Sequence, residues 1–225
     1  MPEGTLYIGS CRYSSWSLRG WLAVHRAGLD VAEVVLPLAG GSTPAVKQAS
    51  PSGMVPYLEH RGVRIWESLA ICEYCAEFAP PLWPDEAVAR AQARSIAAEM
   101  HAGFRGLRLA MPMVLGRDFS GLGRTPEALA DITRIETIWA ETRSRFGAGG
   151  PFLFGAEFGN ADAMFAPVVA RFLTYRPELS LLAQAYCAAV RAHPLVAEWY
   201  AKAEQEPESW RIAKYENPPG LATTG

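Results

Sequence analysis

The sequence predicts two unlike units, an α+β unit over residues 1–79 and an all-helical unit over 85–225, joined by a Pro-rich linker over 80–84. Three observations carry this reading. Strand-like and helix-like segments alternate up to residue 78. Pro80, Pro81 and Pro84 then crowd one short stretch that neither a helix interior nor a central strand accepts. Beyond it, apolar residues recur three and four apart, the period of a helix face, and no strand alternation competes.

In chain order, Thr5-Leu6-Tyr7-Ile8 reads as a strand, and after a polar loop over 10–15 a helix runs over about 16–27, with Gly28 as its stop. A second strand falls at 32–36. A Gly/Ser/Thr/Pro turn and a short helix over 44–48 lead to Ser50-Pro51-Ser52-Gly53-Met54-Val55-Pro56. Tyr57-Leu58-Glu59, the turn His60-Arg61-Gly62 and Val63-Arg64-Ile65-Trp66 form a hairpin pattern. A third helix is predicted over 67–78, giving the order β-α-β-α-β-β-α. In the second unit Ile96, Met100, Phe104, Leu107 and Met111 share one helical stripe, and Leu129, Ile132, Ile135, Trp139, Thr142 and Phe146 share another. Further helices are predicted at about 161–172, 179–191 and 194–205, and the last fifteen or so residues as a loosely ordered tail.

Composition excludes several function classes. The chain has 225 residues, with 21 Lys and Arg against 23 Asp and Glu, a net charge of -2, so it is not built to neutralise many phosphates and nucleic acid is not the expected partner. Half the residues are hydrophobic and 20% charged, which places the chain among ordered globular proteins. Its apolar runs are far shorter than the ~20 residues a bilayer span requires. The start Met1-Pro2-Glu3-Gly4 lacks the basic start and longer apolar stretch of a signal peptide, and four unevenly spaced cysteines fit reduced thiols, so a cytoplasmic location is expected. Neither His nor Cys clusters in a metal-binding pattern; the four histidines are scattered singly.

Three stretches carry chemistry. Ser14-Ser15-Trp16-Ser17-Leu18-Arg19 opens the first helix, whose unpaired N–H groups and positive dipole end suit an anion such as a thiolate. Lowering a thiol from its usual pKa near ~8.5 by about two units is worth ~2.7 kcal/mol of thiolate stabilisation. A serine hydroxyl there would supply part of this, or would simply cap the helix. Val55-Pro56 precedes the third strand, where a cis bond would keep the Val55 amide groups out of the sheet and free to pair with an extended peptide. Glu67-Ser68-Leu69-Ala70-Ile71 opens the third helix, where Ser68 suits a carboxylate and Glu67 an ammonium, capping being the plain alternative.

Together these stretches resemble the cytosolic glutathione transferases, over nearly the whole chain, and the Ser-Ser-x-Ser-x-Arg pattern is most similar to the zeta, maleylacetoacetate isomerase-like class. The resemblance implies a thioredoxin-like first domain, an all-α helical-bundle second domain, glutathione as cosubstrate with no tightly bound cofactor, and a homodimer. Such proteins place a sulfur-activating residue fourteen positions before the glycine that ends the first helix, which here is Ser14, counted back from Gly28. Ser15 and Arg19 would support Ser14, Val55 and Pro56 would bind the cysteinyl part, and Glu67 and Ser68 the γ-glutamyl group. Met54 stands where many relatives have a polar or basic residue near the glycyl carboxylate, leaving Lys47 or Gln48 for that contact.

An electrophile pocket is expected between the domains. Met100, His101 and Phe104 are its candidates, with Arg105 and Arg108 on the same stripes, and Arg171 and Arg176 as possible carboxylate contacts. Asp162, in Gly159-Asn160-Ala161-Asp162, matches the acidic member of a capping box and reads as structural. Cys72-Glu73-Tyr74-Cys75 falls inside a helix, away from the dipole end that a redox pair needs. Cys11, in the loop itself, is the stronger thiol candidate. The implied activity is conjugation of glutathione to a small electrophile. The alternatives are cis–trans isomerisation of a maleyl keto acid, thiol transfer at Cys11, or glutathione binding without catalysis.

Overall fold

A computed structural model describes residues 1–79 and 81–218 of the chain. The first unit is built on four strands, β1 (Gly4–Gly9), β2 (Val31–Leu36), β3 (Tyr57–His60) and β4 (Val63–Trp66), in the spatial order β2-β1-β3-β4. β1 pairs with β2 in parallel and with β3 antiparallel, the hairpin β3–β4 closing the edge. The central strand shows the strongest burial: Leu6 and Ile8 are fully covered. Gly4 has no alternative at the start of β1, because a Cβ there would sit 2.0 Å from the Glu59 carbonyl oxygen.

Helix α1 (Ser15–Arg26) packs between this sheet and the second unit, beside α3 (Ser68–Ala76), while α2 (Pro44–Ala49) lies ahead of the Val55–Pro56 turn. Its start is fixed by Ser14, whose oxygen accepts the Ser17 N–H at 3.3 Å, and Gly28 follows its end with φ +67°. Gly20 lets the Pro56 ring come against the helix; a Cβ there would lie 2.8 Å from Pro56 Cγ. α3 begins one residue later than the sequence pattern indicates. Glu67 stands outside it with φ +69°, a left-handed conformation uncommon for any residue but glycine.

The second unit comprises α4 (Ala87–Ala102), α5 (Arg105–Ala110), α6 (Pro126–Phe146), α7 (Asn160–Tyr175), α8 (Leu181–Ala192) and α9 (Pro194–Gln205), followed by a 3-10 turn (Glu208–Trp210) and α10 (Ala213–Glu216). Caps mark the starts: the Glu86 carboxylate accepts two amide N–H groups for α4, and Thr125 with Pro126 opens α6. α7 is the central helix, and Trp139 of α6 packs edge-on against its Phe165 and Phe172.

Two expectations are corrected here. The stripe from Ile96 to Met111 belongs to two helices rather than one, because the chain breaks at Gly103 and Phe104, the latter with φ +60°. Residue periodicity survives the break since all five side chains are buried. The tail from residue 211 to 217 is not loose: it forms α10, with Ile212 and Glu216 buried. Residues 219–225 of that tail, and Pro80 of the linker, lie outside the described residues.

Asp162 ties the helical unit together. Its carboxylate accepts from Gly159 N–H at 3.0 Å, Leu153 N–H at 3.1 Å and the Tyr186 hydroxyl at 2.9 Å. Burial nonetheless outweighs these donors and pushes its pKa up to about 6. A carboxyl with a folded pKa above its unfolded value holds its proton more tightly when folded, so its contribution to stability falls as pH rises from about 4 to about 6 and is flat above. Urea unfolding of wild type and Asp162→Asn at several pH values should therefore give a wild-type-minus-variant difference that declines by roughly 2–3 kcal/mol across that window. A flat difference would remove the assignment.

Candidate functional site

A cleft of about 650 Å³ opens between the two units. One wall is the start of α1 with Ser14, Ser15 and Trp16; another is the 40–43 loop, Lys47 of α2, and Met54-Val55. The helical unit contributes Arg108, Pro112, Met113 and Arg171, and Ile212 and Tyr215 of the C-terminal segment close one side.

The loop before α1 is held from the helical side. Arg12, almost fully buried, donates to the Leu115 carbonyl at 2.7 Å and the Ala203 carbonyl at 2.9 Å. The Glu206 carboxylate accepts from the backbone N–H groups of Cys11 and Arg12, and Trp199 Nε1 donates to the Cys11 carbonyl at 2.9 Å. Tyr13 donates its hydroxyl proton to Glu216, which Arg117 and Arg211 also hold, and accepts from Ile212 N–H at 3.2 Å. Burial, with Glu216 adding to it, pushes the Tyr13 hydroxyl up to about 12. Its proton is committed to that carboxylate.

Both candidate hydroxyls line the cleft and both residues are buried. Ser14 caps α1 and donates to Ser17 Oγ at 2.7 Å, while Ser17 Oγ also accepts from Gly9 N–H at 2.9 Å. Ser15 Oγ accepts from Arg171 Nη2 at 3.4 Å. Arg171 is fixed by donation to the Met111 and Pro167 carbonyls, at 2.8 and 3.0 Å, and burial lowers its pKa to about 9, so it stays protonated at neutral pH. Trp16 is flanked by two guanidinium groups, those of Arg19 and Arg108, 4.6 and 4.7 Å from its ring. Arg19 is wholly buried; its Nε donates to the Met164 carbonyl at 2.9 Å, and both terminal nitrogens lack a partner among the described residues.

The Val55–Pro56 bond is cis, and Val55 lies outside the strand ladders. Pro56 is buried behind it, against α1. Met54 is exposed at the rim and Lys47 lines the cleft, which Gln48 does not. Glu67 and Ser68 sit beyond the lining of this cleft: Ser68 Oγ is buried without a partner among the described residues, and Glu67 lies 3.6 Å from His101 Nε2. His101 packs edge-on against Trp16, 5.1 Å between centroids, and burial lowers its pKa.

Met100 and Phe104 do not face the cleft. Both are core residues, because the break after α4 turns them inward; the Met100 carbonyl accepts from Arg108, which reaches the cleft in their place. His101 likewise stays behind Trp16. Arg105 is absent from the cleft lining, and Arg176 pairs with Asp118 at 2.8 Å on the surface. Ile212, Tyr215, Pro112 and Met113 had no local signal, since each is brought in by packing of segments distant in sequence. All four cysteines are free and buried. Burial raises the Cys11 thiol strongly, Glu206 adding to it, and pushes Cys72 up to about 12.

Comparison with known proteins gives this architecture a family. The glutathione S-transferase N-terminal domain model matches residues 13–77, and the C-terminal domain model matches residues 87–202. The chain belongs to the glutathione S-transferase family. It is 27% identical to a probable maleylacetoacetate isomerase of Caenorhabditis elegans over 173 residues, covering 70% of this chain and 80% of that one. It is also 27% identical to glutathione S-transferase 1 of Dianthus caryophyllus, covering 75% of this chain and 77% of the other. Among solved structures, a Burkholderia glutathione transferase homologue with bound glutathione superposes with TM-score 0.70 at 21% identity, covering 92% of this chain and all (100%) of that one. A theta-class enzyme of Xanthomonas axonopodis pv. citri with glutathione bound gives TM-score 0.65 at 26% identity, covering 92% and 99%.

The contacts around Arg12 make a prediction about the loop. Arg12→Met keeps most of the buried stem but strands two buried carbonyl groups, which should cost about 2–4 kcal/mol. Thermal and urea unfolding measure this, and a loss below about 0.5 kcal/mol, the scale of an ordinary surface change, would show that the loop is not held by Arg12.

Proposed function

We propose that the cleft binds glutathione along the first unit and presents its thiolate to a small electrophile held by the helical unit. The carrying observation is the juxtaposition of two buried serines at the N-terminus of α1 with a buried, protonated guanidinium, Arg171, at the cleft wall. The thiol proton leaves to water, and the anion is held by a serine hydroxyl, by the helix end and by the nearby cation. Val55, outside the strand ladders, suits the cysteinyl part, and Ser68 Oγ, without a partner among the described residues and beside Glu67 just beyond the cleft lining, suits the γ-glutamyl group. Lys47 is the cation at the cleft suited to the glycyl carboxylate. The sulfur then forms a bond to the electrophilic carbon, and a leaving group departs or a proton is taken up.

A second reading, isomerisation of a maleyl keto acid, is favoured by the cationic wall. Arg108 and Arg171 face the space where the electrophile would lie, and several relatives carry the name maleylacetoacetate isomerase. In that reading the thiolate adds across the cis double bond, rotation follows, and the same carbon–sulfur bond breaks, returning glutathione unconsumed. Thiol transfer at Cys11 has no comparable support, since that thiol is buried beside Glu206. A homodimer is supported by large apolar side chains left exposed at Val63 and Trp66 of β4 and at Val88 of α4. Free buried cysteines support a reducing compartment such as the cytoplasm.

Calorimetric titration with glutathione tests the shared step, and no binding at millimolar concentration would end both readings. Turnover of a maleyl keto acid without glutathione consumption selects the second. With glutathione saturating, Arg108→Met should raise KM for a carboxylated electrophile about tenfold or more while changing KM for a neutral one much less, the loss expected for a hydrogen bond to a charged group. Equal changes for the two substrates would remove Arg108 from carboxylate recognition.

A further inference from the structure

We propose that His101, at the end of α4, is a positioning residue of the γ-glutamyl end of the site and acts through Glu67: when neutral it leaves the Glu67 carboxylate to the ligand ammonium, and when protonated it takes that carboxylate for itself. The proposal rests on the glutathione reading above and deepens it at the end of the ligand away from the sulfur. Glu67 stands just before α3 with φ +69°, a sparsely populated backbone conformation of the kind that clusters at ligand sites. Its side chain is 55% exposed, so a ligand can reach it. Beside it Ser68 is 1% exposed, and its Oγ has no partner among the described residues. An unsatisfied buried hydroxyl next to an accessible carboxylate suits a zwitterion, the hydroxyl donating to its carboxylate and Glu67 accepting from its ammonium.

His101 reaches this pair from the helical unit. Its Nε2 lies 3.6 Å from Glu67 Oε2, within ion-pair range but longer than a hydrogen bond, so the contact becomes strong only when the ring carries charge. The ring packs edge-on against Trp16 of α1, which holds it facing Glu67. The charged groups that bear on it are Glu67, before α3, and the cations Arg19 of α1 and Arg108 of α5. Charges on the other elements packed against α4 are engaged elsewhere: Glu73 of α3 with Arg94, Arg134 of α6 with Glu99, Asp162 of α7 with Gly159, Leu153 and Tyr186, and Arg171 of α7 with backbone carbonyls. Burial lowers the His101 pKa, Glu67 works the other way, and the two cations add to the lowering, so the ring is neutral at pH 7 and gains charge only as pH falls. Nδ1 is buried without a partner among the described residues, so an imidazolium, which carries a donor on both nitrogens, would leave one unsatisfied. Below its pKa the charged ring pairs with Glu67 and repels an arriving ammonium. By linkage, the bound ammonium expels that ring proton to the solvent.

Calorimetric titration of the full-length protein with S-methylglutathione tests this, because the blocked thiol removes the sulfur proton from the balance. Repeating it in buffers of different ionisation enthalpy counts the protons exchanged on binding. Wild type should bind about threefold or more weakly at about pH 5.5 than at about pH 7.5 and should release protons in that window, the effect held to a few-fold because solvent screens the half-exposed Glu67. His101→Gln and His101→Phe should lose the release and most of the pH dependence. The Phe variant keeps an aromatic ring against Trp16, so agreement between the two separates charge from packing. The same ligand with its amino group replaced by hydrogen should show no release that depends on His101. Proton uptake by wild type, a release that persists in both variants, or an equal release with the deaminated ligand overturns the proposal. Should the variants fail to fold, the two ligands compared on wild type decide. Failure of wild type to bind either glutathione or S-methylglutathione at millimolar concentration overturns the functional reading, whereas binding that is equally tight at both pH values overturns this assignment alone.

Discussion

Buried arginines donating to backbone carbonyls across the junction of the two units are the constraint on which the rest of the structure depends. Arg12 reaches from the first unit to Leu115 and Ala203, Arg19 reaches from α1 to Met164, and Arg171 of α7 holds Met111 and the side chain of Ser15. A guanidinium is suited to this because it carries several donors in a rigid plane and is less strongly hydrated than an ammonium group. Carbonyl partners satisfy donors without neutralising charge. Around Arg19 and Arg171 the junction is therefore closed without a paired carboxylate, whereas Glu206 and Glu216 hold the loop before α1.

That distinction links stability to chemistry. The chain as a whole is nearly neutral, so its surface charge does not reveal the cationic interior. Burial lowers the pKa of Arg19, Arg108 and Arg171 alike, each shift opposed to holding charge there and increased, for Arg19 and Arg171, by the neighbouring cations. An anion entering the cleft relieves repulsion already present in the folded protein. Trp16 makes the arrangement more tolerable, because the guanidinium groups of Arg19 and Arg108 both lie over its ring, whose π system attracts them.

Much of this fold was legible in the sequence because its signals are local. The strand runs, the hairpin at His60-Arg61-Gly62, the stop at Gly28 and the periodic stripes of the helical unit each depend on neighbours a few residues away, and the structure has an element at each. What was not legible depends on long-range packing. Phe104 kept its place in an apolar stripe yet belongs to a break, since a stripe records burial and not continuity of the helix. Met100 lost its place in the cleft for the same reason. The C-terminal segment looked loose from composition, but Glu216 holds it through Tyr13 and Arg117, 203 and 99 residues away, with Arg211 close by in the chain.

The candidate site shows the same division at finer scale. The Ser14-Ser15 pair marked the start of a helix, and no sequence rule says which of two adjacent hydroxyls points its proton inward. That choice is made by Ser17, one turn further on, whose oxygen is needed by Gly9 at the end of the central strand. Once Ser17 is fixed there, it becomes the natural acceptor for Ser14, and capping absorbs the first serine. The second accepts from a residue of the other unit, Arg171, which the sequence offered as a possible carboxylate contact. Helix initiation uses the first hydroxyl and the contact between the two units uses the second, and a doubled serine lets the fold meet both requirements with neighbouring residues.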